Sequence, residues 1–283
     1  MTIDELRKKL DETSYVYDDN MFTVLYVALT LGRPLLIEGA AGVGKTEVAK
    51  VMAQALGRDL VRLQCYEGLD ESKALYEWNY QKQLLAIQVD QGREEKETLT
   101  RSLFSDEYLL ERPLLKSIRS ETPVVLLIDE IDKADLEFPN DLLWELDKME
   151  FYIPETKETV KAKQRPIVII TSNAEKELPD AFLRRCIFHY IEFPDQQQME
   201  KIIRVHFDHV DETLLMQAMQ AFYYIRSIDS VEKKPSTSEL VDWIRALQLS
   251  GVDVSKIARE IPFIGVLLKK DKDISTVQRR LRR

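Results

Sequence analysis

Gly39-Ala40-Ala41-Gly42-Val43-Gly44-Lys45-Thr46 is the stretch that decides how this chain is read. It matches the pattern G-x-x-x-x-G-K-[ST], which needs a strand before it and a helix after it. Both are expected here. Pro34-Leu35-Leu36-Ile37 is a short apolar run that predicts a buried strand, and Lys45 to Leu56 keeps its apolar residues on one helical face. Glycines let successive backbone N–H groups turn inward around phosphate oxygens. The start of the next helix adds its positive dipole end. The pattern therefore predicts a nucleoside triphosphate cradle over Gly39, Ala40, Ala41, Gly42, Val43 and Gly44. Lys45 would carry charge to the β- and γ-phosphates, and Thr46 would offer a hydroxyl to Mg²⁺.

Val124-Val125-Leu126-Leu127-Ile128-Asp129-Glu130 is the second informative stretch. A carboxylate at the C-terminal end of a buried strand lies where open α/β sheets bind ligands. Asp129 is placed to hold Mg²⁺ through its water shell, and Glu130 to polarise an attacking water. Standing alone the pair would read equally well as an acidic turn, but the phosphate loop upstream decides for the functional reading. Thr171-Ser172-Asn173 ends another apolar strand. Asn173, otherwise an ordinary turn residue, is in place to reach a γ-phosphate or the lytic water. Arg184 and Arg185 precede a further strand, and an arginine at a subunit boundary can stabilise charge on a neighbour's γ-phosphate. By spacing alone they read as two surface arginines.

Outward from these motifs, Leu60–Leu63, Pro123–Ile128, Pro166–Thr171 and Cys186–Phe193 predict further strands. Helical patterns occupy Ile3–Leu10, Met21–Leu31, Leu109–Ser120, Pro139–Met149 and Pro179–Arg184. Strands alternating with helices predict a parallel, three-layer α/β sheet. The strand signal stops after Pro194, and only helical patterns follow: Gln197–Phe207, Asp211–Arg226, Ser236–Leu249 and Val254–Arg259. The expected organisation is a nucleotide-binding domain over 1–194 and a helical lid over 195–283. Gln88 to Asp106, long and polar, reads as a loop or an inserted helix, and Phe151 to Val160 as a β-hairpin.

Composition narrows the rest. The 283 residues are 45% apolar and 31% charged, which excludes a disordered chain, and 9 Gly with 10 Pro exclude collagen-like architecture. Two cysteines, Cys65 and Cys186, cannot form a disulfide framework, so a reducing compartment is expected. The three histidines and two cysteines show no zinc-ligand spacing. A net charge of −9 argues against nucleic acid as a partner. The basic run Arg279-Arg280-Leu281-Arg282-Arg283 reads as a solvated tail. No apolar run approaches the ~20 residues that span a bilayer, and Met1 to Asp11 is too polar for a secretory signal. A soluble cytoplasmic protein is expected.

Taken in order, GAAGVGKT (39–46), LLIDEID (126–132), ITSN (170–173) and LPDAFLRRC (178–186) resemble the AAA+ ATPase superfamily. More narrowly, RPLLIEGAAGVGKTEVAK (33–50), QCYEGLDESKAL (64–75), LLERPLLKSI (109–118) and DEIDKAD (129–135) resemble its MoxR branch. Within that branch the chain is most similar to the type that matures carbon monoxide dehydrogenase or activates nitric oxide reductase. The resemblance implies a three-layer αβα P-loop NTPase domain in the AAA+ strand order, a C-terminal all-helical lid, and a homo-oligomeric ring, usually a hexamer, with ATP and Mg²⁺ between subunits. Lys45 and Thr46 would be Walker A residues, Asp129 and Glu130 Walker B residues, and Asn173 sensor 1. Arg185 fits the arginine-finger position better than Arg184. The 88–106 segment and the 151–160 hairpin would face the pore or a partner. A partner with a von Willebrand factor A domain and a client metalloenzyme are implied in the same way. One departure stands out: Lys233-Lys234-Pro235-Ser236-Thr237-Ser238-Glu239 carries no sensor 2 arginine, and the next arginine is Arg245.

The expected activity is ATP hydrolysis that remodels a partner protein. Two alternatives remain open at this point: a DNA-acting motor or clamp-loader-like subunit, and a nucleotide-gated scaffold with little turnover. A small-molecule P-loop kinase fits less well. The Asp-Glu pair, the Asn after the next strand and the helical lid together serve attack by water.

Overall fold

The computed structural model describes residues 1–90 and 102–281, and the chain divides into two compact units. The middle of the 88–106 segment lies outside the described residues, as do Arg282 and Arg283.

The larger unit comprises Met1–Thr13, Tyr17–Gly39 and Lys45–Ile191. It begins with α1 (Ile3–Asp11) and α2 (Asp19–Leu31). Asp18 caps α2 by accepting the Met21 N–H at 2.7 Å, and Gly32 ends it in the left-handed region. Then follow β1 (Leu35–Gly39), α3 (Lys45–Leu56), β2 (Leu60–Gln64), α4 (Glu71–Leu75), β3 (Tyr76–Trp78), α5 (Tyr80–Asp90), β4 (Leu109–Glu111) and α6 (Pro113–Arg119). The unit closes with β5 (Val125–Asp129), α7 (Phe138–Asp141), α8 (Leu143–Lys148), β6 (Glu150–Ile153), β7 (Glu158–Lys161), β8 (Ile167–Ser172), α9 (Asp180–Leu183) and β9 (Ile187–Ile191).

Five parallel strands form the central sheet in the order β2-β5-β8-β1-β9. All five residues of β5 are buried, as expected of a strand covered on both faces. The register sets Ile37 beside Thr171 and Ile128 beside Ile170, so the C-terminal ends of β1, β8 and β5 are adjacent. Helices lie on both faces of the sheet, which makes the αβα layering and strand order those of the AAA+ fold. The 151–160 hairpin forms as expected, with Phe151 opposite Val160.

Two local expectations are corrected. The helix expected over 109–120 is a strand, β4, paired antiparallel with β3, and the helix starts only at Pro113. The helix expected over 139–149 is two short helices broken at Leu142. In the 88–106 segment, α5 runs to Asp90 and a short 3-10 turn occupies Asp106–Tyr108.

The second unit comprises Ser14–Val16, Ala40–Gly44 and Glu192–Arg283. Its helices are α10 (Gln196–His206), α11 (Glu212–Ser227), α12 (Thr237–Ser250), α13 (Val254–Glu260), α14 (Ile264–Leu267) and α15 (Asp271–Leu281). They bury their own core, with Phe222, Leu240, Trp243, Ile244 and Val277 at its centre. The Ser236 N–H donates to Glu239 Oε2 at 2.7 Å at the start of α12, and Gly251 ends that helix. Arg279 and Arg280 are exposed on the last turn of α15, whose other face buries Val277.

His189 is buried in β9 beside Ile37. Burial pushes its imidazole below the ordinary value of 6.5, against an opposing pull from Asp18. The folded chain then binds its proton less readily than the unfolded chain does. Stability must fall as the pH drops through 6.5 and level off only below the folded value. Melting temperatures across that range are expected to decline in the wild type and to decline less in His189→Phe. Equal slopes would remove the argument.

Candidate active site

The phosphate-loop motif lies between β1 and α3, as its pattern requires. Gly42 and Gly44 have φ of 77° and 93°, values at which any side chain strains the backbone. Those two glycines therefore permit the loop. Lys45, the first residue of α3, is 7% exposed. Its ammonium donates to the Gly39 carbonyl and to Asn173 Oδ1, each at 2.7 Å. Burial pulls its proton affinity below that of an ordinary lysine. Asp132, Glu130, Asp129 and Glu38 oppose that shift.

Asp129 ends β5 and is 1% exposed. A carboxylate that deep is costly without partners, and both of its oxygens have them. Oδ1 accepts the Thr46 hydroxyl at 3.0 Å and the Thr171 hydroxyl at 2.6 Å. Oδ2 accepts Arg62 Nε at 3.0 Å and a terminal Arg62 nitrogen at 2.5 Å. A carboxylate and a hydroxyl are hard oxygen donors, the kind Mg²⁺ takes when substrate phosphates and water supply its other ligands. Among the described residues no cluster of three or more His, Cys, Asp or Glu forms a self-sufficient metal cage. The donor set therefore fits a metal that arrives with a nucleotide.

Glu130 follows directly, in the left-handed region at φ 56° and ψ 54°. Such a conformation in a non-glycine residue costs on the order of 1 kcal/mol or more. It is held because the Glu130 N–H donates to the Thr171 hydroxyl at 2.8 Å. Glu130 Oε1 accepts Asn173 Nδ2 at 3.3 Å, and Oε2 accepts Gln64 Nε2 at 3.0 Å. Asn173 is fixed in turn by Asp132, whose buried Oδ2 accepts the N–H groups of Asn173 at 3.1 Å and Glu175 at 3.0 Å. The structure thus joins Lys45, Asn173 and Glu130 in one hydrogen-bonded row, with Thr46 and Asp129 beside it.

Four residues of this constellation are assigned no role by the sequence motifs, although Gln64, Thr171 and Asp132 lie within them: Arg62, Gln64, Thr171 and Asp132. Two signals point to them. Arg62 and Gln64 alternate with buried Val61 and Leu63 on β2, and Asp132 belongs to the acidic run after β5. The two arginines lie apart from the row. Arg185 donates from Nε to Asp147 Oδ2 at 2.7 Å and from a terminal nitrogen to the Ala181 carbonyl at 2.8 Å. Arg184 is exposed, and its guanidinium has no hydrogen-bonding partner among the described residues. Arg33 fixes their backbone by donating to the carbonyls of Arg184, Arg185 and Cys186.

Cys65, next to Gln64, donates its N–H to the Asp129 carbonyl at 2.9 Å. Burial first, then the neighbouring carboxylates, push its thiol up to about 12, the opposite direction from the lowered value of an activated cysteine. The site therefore offers a cation and a dipole for phosphate oxygens, hard oxygens for a metal, and a carboxylate fixed beside an amide. Residues 34–186, more than half of the chain, match the family model of the AAA domain (dynein-related subfamily). That span contains every residue of this row, and the chain belongs to that AAA family.

Proposed function

We propose that this chain hydrolyses ATP with Mg²⁺ and works as a MoxR-type remodelling ATPase. The observation that carries the reading is the row Lys45–Asn173–Glu130 set against Thr46 and Asp129. Each group fits one task. The Lys45 ammonium turns from Gly39 and Asn173 to the β- and γ-phosphate oxygens. The N–H groups of the glycine loop wrap the same oxygens. Thr46 and Asp129 would hold the metal, which when bound would neutralise charge on the phosphates. Asn173 orients the attacking water, and Glu130 takes its proton at a carboxylate oxygen as the water oxygen bonds to the γ-phosphorus in line and the bond to the β,γ-bridging oxygen breaks, releasing ADP. Positioning and electrostatics supply most of the rate in such a site.

Lys45 is the row's one cation among the described residues, and an arginine from a neighbouring subunit is taken to supply the second. Arg185 or Arg184 is that residue in a homo-oligomeric ring, taken here as a hexamer. Residues 195–283 act as a helical lid domain. A protein is the substrate of remodelling: α5 leaves Leu84, Leu85 and Val89 more than half exposed, a face suited to protein contact. A von Willebrand factor A domain partner and a client metalloenzyme complete the reading. Cytoplasmic residence agrees with Cys65 and Cys186 being free thiols.

Sedimentation of the purified chain is expected to show a higher mass with ATP than without nucleotide, and hydrolysis per subunit should rise with protein concentration. Arg185→Ala or Arg184→Ala should remove that concentration-dependent part of the rate while nucleotide still binds. A monomer in every nucleotide state that hydrolyses ATP at a concentration-independent rate would end the ring reading.

A further inference from the structure

We infer that Arg62 is the resident cation of the Asp129 site: a positioning residue that holds this carboxylate while no metal is bound and yields it to Mg²⁺. The inference rests on reading Thr46 and Asp129 as the metal-holding pair. Asp129 is buried to 1% exposure. The two hydroxyls on Oδ1 satisfy lone pairs without neutralising the charge. Arg62 alone among the described residues forms an ion pair with it. It does so through two nitrogens on the single oxygen Oδ2, at 3.0 and 2.5 Å.

The arrangement is built to open. The register of β2 and β5 puts Gln64 beside Asp129, and Arg62 lies two residues earlier on the same face. The Arg62 side chain is 53% exposed whereas that of Asp129 is 2% exposed. The guanidinium can therefore swing out to water, while the carboxylate stays. The same terminal nitrogen also donates to Gln64 Oε1, a second anchor that fixes the guanidinium over the site. A divalent ion held by Asp129 and Thr46, directly or through its water shell, would compete with this guanidinium for the one carboxylate. Like charges on a shared carboxylate repel, though water at the half-exposed guanidinium screens the effect. Filling the metal site would therefore loosen Arg62 from Asp129. The concentration of Mg²⁺ at which that happens is set by the strength of the Arg62–Asp129 pair.

The test is a Mg²⁺ titration of the full chain saturated with a fluorescent ADP, read by the metal-dependent change in its emission. In Arg62→Met the apparent Mg²⁺ affinity is expected to tighten on the order of fivefold, the upper end for a half-exposed ion pair. Arg62→Lys restores a competing cation and should return the affinity toward wild type. Melting of the ADP-saturated proteins with and without Mg²⁺ gives a second readout. Arg62→Met should melt below wild type without metal and gain more from Mg²⁺ than wild type does. Unchanged or weaker Mg²⁺ affinity in Arg62→Met, with nucleotide still bound, would overturn this inference and leave the ATPase reading intact. If the wild type bound no nucleotide, that reading would fail first, and an equal Mg²⁺ stabilisation of both proteins would then dispose of Arg62 as well.

Discussion

Glu130→Gln is expected to bind ATP with Mg²⁺ about as well as the wild type and to hydrolyse it roughly 10²- to 10⁴-fold more slowly, the usual contribution of a positioned general base. The substitution keeps the size of the side chain and removes its charge and its ability to accept a proton. It also disturbs the row in a way the geometry makes specific. Glu130 accepts at both oxygens, from Asn173 and from Gln64, and a glutamine has one acceptor and one donor end. One contact must become donor against donor. Neither neighbour can turn its amide freely, because Asn173 Oδ1 accepts from Lys45 and Gln64 Oε1 accepts from Arg62. A mismatch at one contact weakens the hold on residue 130 without touching the phosphate loop. Binding of a fluorescent nucleotide and single-turnover hydrolysis of radiolabelled ATP separate the two effects. Turnover at the wild-type rate would remove Glu130 from the chemistry.

How far the sequence could be read depended on whether the deciding physics was local. Strands Val125–Asp129 and Ile167–Ser172 were legible because a strand covered on both faces needs a continuous apolar run. The phosphate loop was legible because its backbone demands glycine at Gly42 and Gly44. Leu109 to Ser120 misled because Leu109–Glu111 is a strand only through its pairing with Tyr76–Trp78, some thirty residues away along the chain. Pro113 carried the missing signal. It favours the first turn of a helix and forces Arg112 to be extended, which sets the start of the helix. Leu142 shows the opposite case. Nothing in its neighbours' propensities announces the break between Phe138–Asp141 and Leu143–Lys148.

The candidate site divides in the same way. Lys45, Thr46, Asp129 and Glu130 belong to contiguous motifs whose chemistry is written in residue type. Arg62, Gln64 and Thr171 acquire their place only from strand order. Arg62 becomes a partner of Asp129 because β2 lies beside β5. Thr171 reaches both Asp129 and the Glu130 N–H because β8 lies on the other side. Non-local order of this kind follows from the sheet as a whole, and no window of sequence contains it.

Lys45→Ala is expected to weaken ATP binding by about 30-fold to several thousand-fold, as when one partner of a buried charged contact is truncated. Two groups that Lys45 bonds, the Gly39 carbonyl and Asn173 Oδ1, are acceptors, and an acceptor cannot serve a phosphate oxygen. Without the ammonium, Glu130, Asp129 and Asp132 would face the triphosphate with one fewer positive charge between them, so the variant adds repulsion to a lost attraction. Lys45→Arg is no remedy. Its planar fork is wider than an ammonium that sits 2.7 Å from two acceptors at once. The empty protein should respond far less than the complex. Burial already disfavours the charged lysine, and its loss removes that desolvation along with two hydrogen bonds worth about 1 kcal/mol each. Calorimetric titration with ATP and Mg²⁺, set beside the melting temperature of the same samples, measures both sides of this balance. An affinity within a few-fold of wild type would mean that the triphosphate is held elsewhere, and the assignments of Thr46, Asp129, Glu130 and Asn173 would go with it.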